Sequence, residues 1–378
     1  MDQGIGSNVK PVSRTFVERK ATISSTTHFM IIPPLFTPHL PGVGGRIKVE
    51  CADFDVEEIP AYEPSGEGEH LFLWIEKTDM GAEFFTRQVA RRLGISNGEI
   101  GTAGLKDRRA VSRQWVSVPA TCTPQVPQLE GDGIRVLRSS LHANKLKPGH
   151  LKGNRFRILI RDADRTIDPE PILYAIREQG MPNFYGPQRF GRDGETSLIG
   201  MALLKGERVN VRNPFLRKLG LSAAQSLMFN DYLSRRMNDG LMRTILPGDV
   251  MAKWPAGGMF TAEDVPAEQA RFDIRETVTA GPMFGRKTFP SKGPAAEREA
   301  EVLAAAGLSR DSFGGFGKLV MGTRRHNLVY TDDLTASWEA EGLRLTFSLP
   351  SGSYATMLLR EVMKTEMTQE EVPGEPGV

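Results

Sequence analysis

A chain of 378 residues is long enough for a large core and, by domain-size statistics, for two structural units. Hydrophobic residues make up 39% and charged residues 25%, which fits a folded globular protein and excludes a disordered chain. A formal net charge of +2 says little about partners, so the distribution of charge matters more than its sum.

The opening "MDQGIGSNVKPVSRTFVERKATISSTTHF" lacks the apolar run and cleavage site of a secretory signal and reads as a polar, loose extension over 1–40. "FMIIPPLF" is too short to cross a bilayer and is broken by prolines. Cys51 and Cys122 are too few for a disulfide framework and lack C-x-x-C spacing, which suits small buried side chains in a reducing cytoplasm.

"PGVGG" (41–45) predicts a flexible hinge, and "RIKVECADFDVEEIP" (46–60) strand-like segments. "HLFLWIEK" places Leu71, Leu73 and Ile75 on one face of a half-buried strand. A helix is predicted over Ala82–Leu93, with Phe85, Val89 and Leu93 on one stripe and Gly94 as its stop. "GTAGLKDRRAVSRQW" (101–115) falls between helix and strand signals, so Asp107 is expected on a loop. In "RFRILIR" (155–161), Phe156, Ile158 and Ile160 alternate with Arg155, Arg157 and Arg161, a strand with one basic face.

Residues 205–335 have another texture. A capping box at Ser222 and Gln225 predicts one helix start there, Pro294 and Gly307 bracket a second helix, and "WPAGGMF" and "DSFGGFGK" read as loops. "LRLTFSLP" (343–350) then returns to period two, and "SGSYATMLLREVMK" starts a helix capped by Ser351 or Ser353. The expected division is an extension (1–40), a catalytic domain in two parts (41–204 and 336–366), an inserted domain (205–335) and a frayed tail (367–378).

Positive charge gathers in two stretches. Arg87 to Arg113 holds seven cations against Glu99 and Asp107, and His142 to Arg161 holds six with no acid. They form either a phosphate-binding face or a scatter of unrelated solvated cations.

Other chemistries find little support. "GGFGKL" (314–319) lacks the upstream glycine and the hydroxyl residue of a phosphate loop. Glu67, Glu69 and His70 have no second histidine at ligand spacing, and none of the six histidines belongs to a nucleophile motif. Asp107 is the stronger candidate: Lys106, Arg108, Arg109 and Arg113 surround it, cations favour a carboxylate's charged form, and such an anion serves as nucleophile or base. A surface aspartate in a salt-bridge network is the plain alternative.

"AGLKDRRAVSRQW" as a whole resembles the catalytic motif of the TruD family of tRNA pseudouridine synthases, in which Ala-Gly, Lys-Asp and a following Ala and Gln recur at this spacing. "GRIKVECADFDVEE", "PSGEGEHLFLWIEKT", "LKGNRFRI", "NFYGPQRFG", "LSAAQSLMFND" and "LPSGSYATMLLREV" match the family in the same order, over about residues 40 to 364. The resemblance implies an α+β fold: a pseudouridine synthase-type catalytic domain with a mixed, largely antiparallel sheet, plus an inserted α+β TRUD domain. It implies isomerisation of uridine to pseudouridine, usually at position 13 of tRNA, with no cofactor and no metal. The implied partner is tRNA, with no membrane and no required protein partner.

By the same resemblance Asp107 is the catalytic carboxylate and Lys48 its ion-pair partner. Asn183, Tyr185, Arg189 and Phe190 are the implied substrate-binding set, Asn183 for polar contacts to the flipped base, an aromatic ring for stacking, and Arg189 for phosphate or base. Lys106, Arg108, Lys152, Arg155 and Arg157 are expected on RNA, with the Arg face of 155–161 lining the cleft. One departure stands out: the family's Asn-Tyr-Phe-Gly is here Asn-Phe-Tyr-Gly, so Tyr185 takes the place of a stacking Phe and brings a hydroxyl suited to proton transfer. Two rival functions remain, a non-catalytic RNA-binding protein or tRNA chaperone, and a nucleoside or glycoside hydrolase using Glu57 or Glu58 as a second carboxylate.

Overall fold

The computed structural model describes residues 32–365; the first part of the expected extension (1–31) and the expected tail (367–378) lie outside the described residues. In chain order, β1 (Phe54–Pro60) and β2 (His70–Thr78) lead into α1 (Ala82–Leu93), then β3 (Gly101–Thr102), β4 (Val111–Pro119), β5 (Ile134–His142) and β6 (Leu151–Arg161). Next come α2 (Glu170–Gln179), β7 (Met181–Pro182), α3 (Glu195–Leu204) and α4 (Pro214–Asn238). Strands β8 (Val250–Lys253) and β9 (Met259–Thr261) precede α5 (Val265–Asp273), β10 (Thr277–Met283), α6 (Gly293–Ala305), β11 (Thr323–His326) and β12 (Leu328–Val329). The described chain closes with β13 (Thr335–Trp338), β14 (Gly342–Pro350) and α7 (Ala355–Met363).

One eight-stranded sheet has the order β13-β14-β6-β1-β4-β2-β5, with β3 on β4, and a four-stranded sheet has the order β11-β10-β8-β9. Within the larger sheet only β1 and β4 run parallel. All strands of the smaller sheet come from 250–326, whereas the larger draws on both ends of the described chain. Short strands β7 and β12 pair where the chain leaves and re-enters the larger sheet's surroundings. Among the described residues no helix is long and apolar enough to cross a membrane.

Period-two alternation decides what covers each sheet face. Phe54 and Val56, Phe156, Ile158 and Ile160, and Leu343, Leu345 and Phe347 are buried in one cluster with Ile172 and Ile176 of α2 and Leu358 and Val362 of α7. Register carries that face across the sheet, because Val56 lies opposite Ser112 and Ser112 opposite Lys77. There Leu71, Leu73 and Ile75 pack on Phe85, Val89 and Leu93 of α1. Helix α1 keeps its predicted ends, with Gly94 left-handed at φ 70° and its N–H on the Ala90 carbonyl. The opposite face holds Phe72 and Trp115 at one end and part-exposed residues such as Trp74 and Glu76 elsewhere, so β2 is half-buried as expected apart from Phe72.

Several local expectations give way to tertiary contacts. "PGVGG" is no hinge: Val43 is fully buried, its N–H bonds Val362, and a Cβ on Gly42 would collide with Met363 and Lys364. The end of the expected loose extension is pinned, since the N–H groups of Phe36 (2.9 Å) and Thr37 (2.6 Å) donate to the Glu361 carboxylate of α7. In 46–60 only Phe54–Pro60 is strand, and Cys51 is half-exposed. Helix α4 begins at Pro214, capped by Asn213, so Ser222 and Gln225 lie inside it and Gln225 donates to the Phe284 carbonyl at 2.6 Å. Tyr354, not Ser351 or Ser353, precedes α7. The loop-like "WPAGGMF" carries the turn between β8 and β9.

A buried ion pair ties α4 to the smaller sheet. Arg236, with no exposure, donates to both Asp249 oxygens at 2.9 and 2.6 Å and to the Thr244 carbonyl at 2.7 Å. Removing one partner strands the other's charge. Asp249→Ala is expected to lower unfolding free energy by about 3–5 kcal/mol in urea titration, and a loss under about 1 kcal/mol would show the pair to be dispensable.

Candidate active site

Asp107 sits, as expected, on the loop between β3 and β4. That loop is fixed at its far end by Ala110, which is fully buried in the core beneath α2 and α7. Lys48 approaches from the irregular segment before β1, its backbone in the left-handed region at φ 57°, a conformation that costs a non-glycine residue roughly 1–2 kcal/mol. The Arg46–Arg161 backbone bridge and the buried Ile47 hold it there. Its side chain, 2% exposed, passes over the Phe54 ring at 4.1 Å and donates to Asp107 Oδ2 at 2.9 Å, while the Asp107 side chain keeps 24% exposure. The pair therefore joins a buried cation to a carboxylate that solvent or a ligand still reaches.

Two more lysines lie under the loop. Lys106 meets Glu58 at 2.8 Å, with side chains 3% and 1% exposed. Lys77, fully buried on β2, donates to the Asp107 backbone carbonyl at 3.0 Å and to the Met80 carbonyl. Burial pushes the Lys77 ammonium down to about 8, against the opposing pull of the Asp107 charge.

The cations adjacent to Asp107 in sequence are thus not its partners. Arg113 is on the opposite sheet face, on Asp55 (2.8 Å) and Glu76 (2.9 Å); Arg109 donates to the Val49 carbonyl; Arg108 is exposed, 3.6 Å from Asp79. Lys106 is sealed in its pair, which corrects its assignment to an RNA surface. Arg155 and Arg157 are exposed, but register puts them with Asp55 and Glu57, on the face away from Lys48 and Asp107. They do not line a cleft at Asp107. Lys152 is exposed at the irregularity where β6 leaves register with β1.

A second cluster follows β7. Asn183 is buried: its Nδ2 donates to the His326 carbonyl at 3.0 Å, and its Oδ1 accepts from Arg325 Nη2 at 2.6 Å. Asn230 of α4 clamps the Tyr185 backbone, accepting from its N–H and donating to its carbonyl, both at 2.9 Å. The Arg325 guanidinium lies 4.0 Å over the Tyr185 ring, and Phe229 and Tyr354 meet that ring at steep angles. The Tyr185 hydroxyl, expected in proton transfer, instead contacts Met283 Sδ at 3.5 Å. Arg189 donates to Ser222 and Ser226 of α4, and Phe190 is buried at 6% exposure. Sequence reasoning missed Lys77 and Arg325. Neither carries a signal in the sequence beyond its place in "HLFLWIEK" or "TRRHN".

Glu58 is locked by Lys106, and Glu57 lies on the far face, 3.9 Å from Arg155, so neither stands beside Asp107 as a second carboxylate. What remains is an α+β protein in which a part-exposed carboxylate, Asp107, is paired to a buried lysine on the helix-covered face of the larger sheet. The family model described as tRNA pseudouridine synthase D (TruD) matches residues 34–211 and 208–362. The tRNA pseudouridine synthase D of Anaeromyxobacter sp. (strain Fw109-5) is 44% identical over 336 residues, 88% of this chain and 96% of the relative. That of a Thermus thermophilus strain is 45% identical over 335 residues, 88% of this chain and 92% of the relative. A Methanosarcina mazei TruD crystal structure superposes with a TM-score of 0.71 at 25% identity, covering 88% of this chain and 96% of that one. The chain belongs to the TruD family.

Lys77 gives a pH signature with a definite sign. Its ammonium is harder to protonate in the folded chain than in the unfolded one, so between about pH 8 and 10.5 the unfolded state binds more protons and stability rises with pH. Below pH 8 both states are protonated and the cost is constant. Subtracting the stability of Lys77→Met from wild type in urea melts should leave a difference that climbs through that window; a flat difference would contradict the burial of a titrating amine.

Proposed function

We propose that this chain converts uridine to pseudouridine in tRNA, at position 13 as the family resemblance implies, and that Asp107 carries the chemistry. The observation that carries the reading is the Lys48–Asp107 contact at 2.9 Å, formed between residues 59 apart in sequence within a TruD-family fold. The reaction breaks the N1–C1′ bond, turns the uracil, joins C5 to C1′, moves the C5 proton away and leaves N1 protonated. Nothing is gained or lost overall, so a positioned carboxylate and a held base suffice.

Asp107 opens the sequence by attacking C1′, by adding to C6, or by removing a sugar proton. Each route needs the anion, and each uses Lys48 as the charge that accompanies it once RNA displaces water. Leaving either group unpaired in a closed site would cost several kcal/mol. Asn183 and Tyr185 hold the base in this reading, with Arg325 fixing the amide direction of Asn183. Because the Tyr185 hydroxyl faces Met283, the final C5 proton is not assigned to it. Residues 41–204 and 336–366 form the catalytic domain and 205–335 the insertion; the separate strand membership of the two sheets supports that division. A cytoplasmic setting follows from tRNA as substrate.

Asp107→Asn should lower pseudouridine formation in unmodified tRNA transcript by at least about 10³-fold, and undiminished turnover would end the proposal. Lys48→Met is expected to cost about 10²-fold in turnover with a much smaller effect on folding. Release of free uracil in place of pseudouridine would point to the hydrolase instead.

A further inference from the structure

On the catalytic sheet Arg113, Arg155, Arg135 and Arg138 each face a carboxylate, while the exposed Lys152 and Arg157 of β6 face none among the described residues. The region around α4 is different. Between 205 and 218 the exposed Lys205, Arg208, Arg212, Arg217 and Lys218 stand against one acid, Glu207. None of the five has a carboxylate oxygen within 4.0 Å among the described residues. The same holds for exposed Arg286 and Lys287, which precede α6, and for Arg310 and Lys318 in the glycine-rich turn after it.

These segments form one surface. Arg217 lies 5.5 Å over the Phe316 ring, joining α4 to the glycine-rich turn. The Arg286 N–H bonds the Val320 carbonyl at 3.1 Å, joining the third segment to the end of that turn. Leu204, Leu221, Phe284, Phe313 and Val320 share a single core cluster beneath them. Between the cations stand Phe215, 51% exposed, and Phe289, 38% exposed. At Gly314 and Gly315 nothing lies within 4 Å of where a Cβ would be, so the turn offers bare backbone to an approaching chain.

We propose that this surface, and not the Arg face of β6, is the main docking site for the RNA backbone. Unpaired cations supply phosphate neutralisation and counterion release. Exposed phenylalanine rings between them supply faces for unstacked bases, which an acidic protein surface would not use. The inference rests on RNA as the substrate and adds where the bulk of it is held.

The test is tRNA binding by the full chain as a function of salt. Arg212→Gln/Arg217→Gln/Lys218→Gln/Lys318→Gln should weaken unmodified tRNA roughly 10- to 100-fold at about 0.1 M salt and flatten the slope of log affinity against log salt by about three. The charge-retaining set Arg212→Lys/Arg217→Lys/Lys218→Arg/Lys318→Arg should bind as wild type does. Its kcat/KM for whole tRNA should exceed that of the glutamine set by more than about tenfold, with a smaller gap for a short hairpin carrying only the target uridine. Unchanged affinity and slope in the glutamine set overturn the proposal, as does equal loss in the charge-retaining set. If wild type forms no pseudouridine while the glutamine set still loses tRNA affinity, the assigned reaction fails and the docking surface stands.

Discussion

A buried ammonium must be answered, and three of them lie beneath one loop. Lys48 is answered by Asp107, Lys106 by Glu58, and Lys77 by two backbone carbonyls. Desolvating each ion costs several kcal/mol, and a close pair at an effective dielectric near about 20 recovers an amount of the same order, so the net gain in stability is small. Geometry is what such an arrangement provides. Moving the loop strands one cation or another, and Asp107 is the one anion of the set that keeps an open side.

The sheet separates this arrangement from the rest of the molecule's charge. Helices α1, α2 and α7 dry one face, while on the other Arg113, Arg155 and Arg135 pair locally with Asp55, Glu57 and Glu76. A basic strand in sequence therefore need not be a basic surface. Exposed cations without a carboxylate partner among the described residues gather over 205–218, where Glu207 is the one acid. Binding energy gained at a distance from the reacting base can then serve orientation at the base.

What the sequence revealed follows from range. Helix α1 and strands β6 and β14 were legible because their periodicity is local and their cores are continuous. The starts of α4 and α7 were misplaced because Ser222 and Gln225 direct their side chains to Arg189 and Phe284 instead of a helix end, and because Tyr354 precedes α7 without a side-chain cap. Glycines at 42 and 45 look like a hinge until β6 and α7 pack against them. Charge misled most: sequence neighbours of Asp107 were natural partners on paper, yet side chains at 106 and 113 turn away to Glu58 and Asp55. Lys48 was reachable only through the family resemblance, and Lys77 and Arg325 act across separations that no local pattern records.

Arg325 shows how one cation can fix several neighbours at once. A guanidinium only donates, so the Asn183 atom facing it must be Oδ1, which turns Nδ2 onto the His326 carbonyl. The same group donates to the Asn183 carbonyl at 3.0 Å and covers the Tyr185 ring, while Asn230 holds the Tyr185 backbone from the other side. Residues 183–185 are thereby set by α4 and β11, and Asp107 by β2 and the segment before β1. The two clusters are rigid for independent reasons, and their link runs through shared packing: Met181 and Leu358 belong to the core under the larger sheet, Phe184 and Met357 to the core of the smaller one. Consecutive residues of α7, Met357 and Leu358, thus stand one in each core, and Thr356 beside them accepts a hydrogen bond from Gln188 at 3.3 Å, so that one helix turn packs against both cores at once.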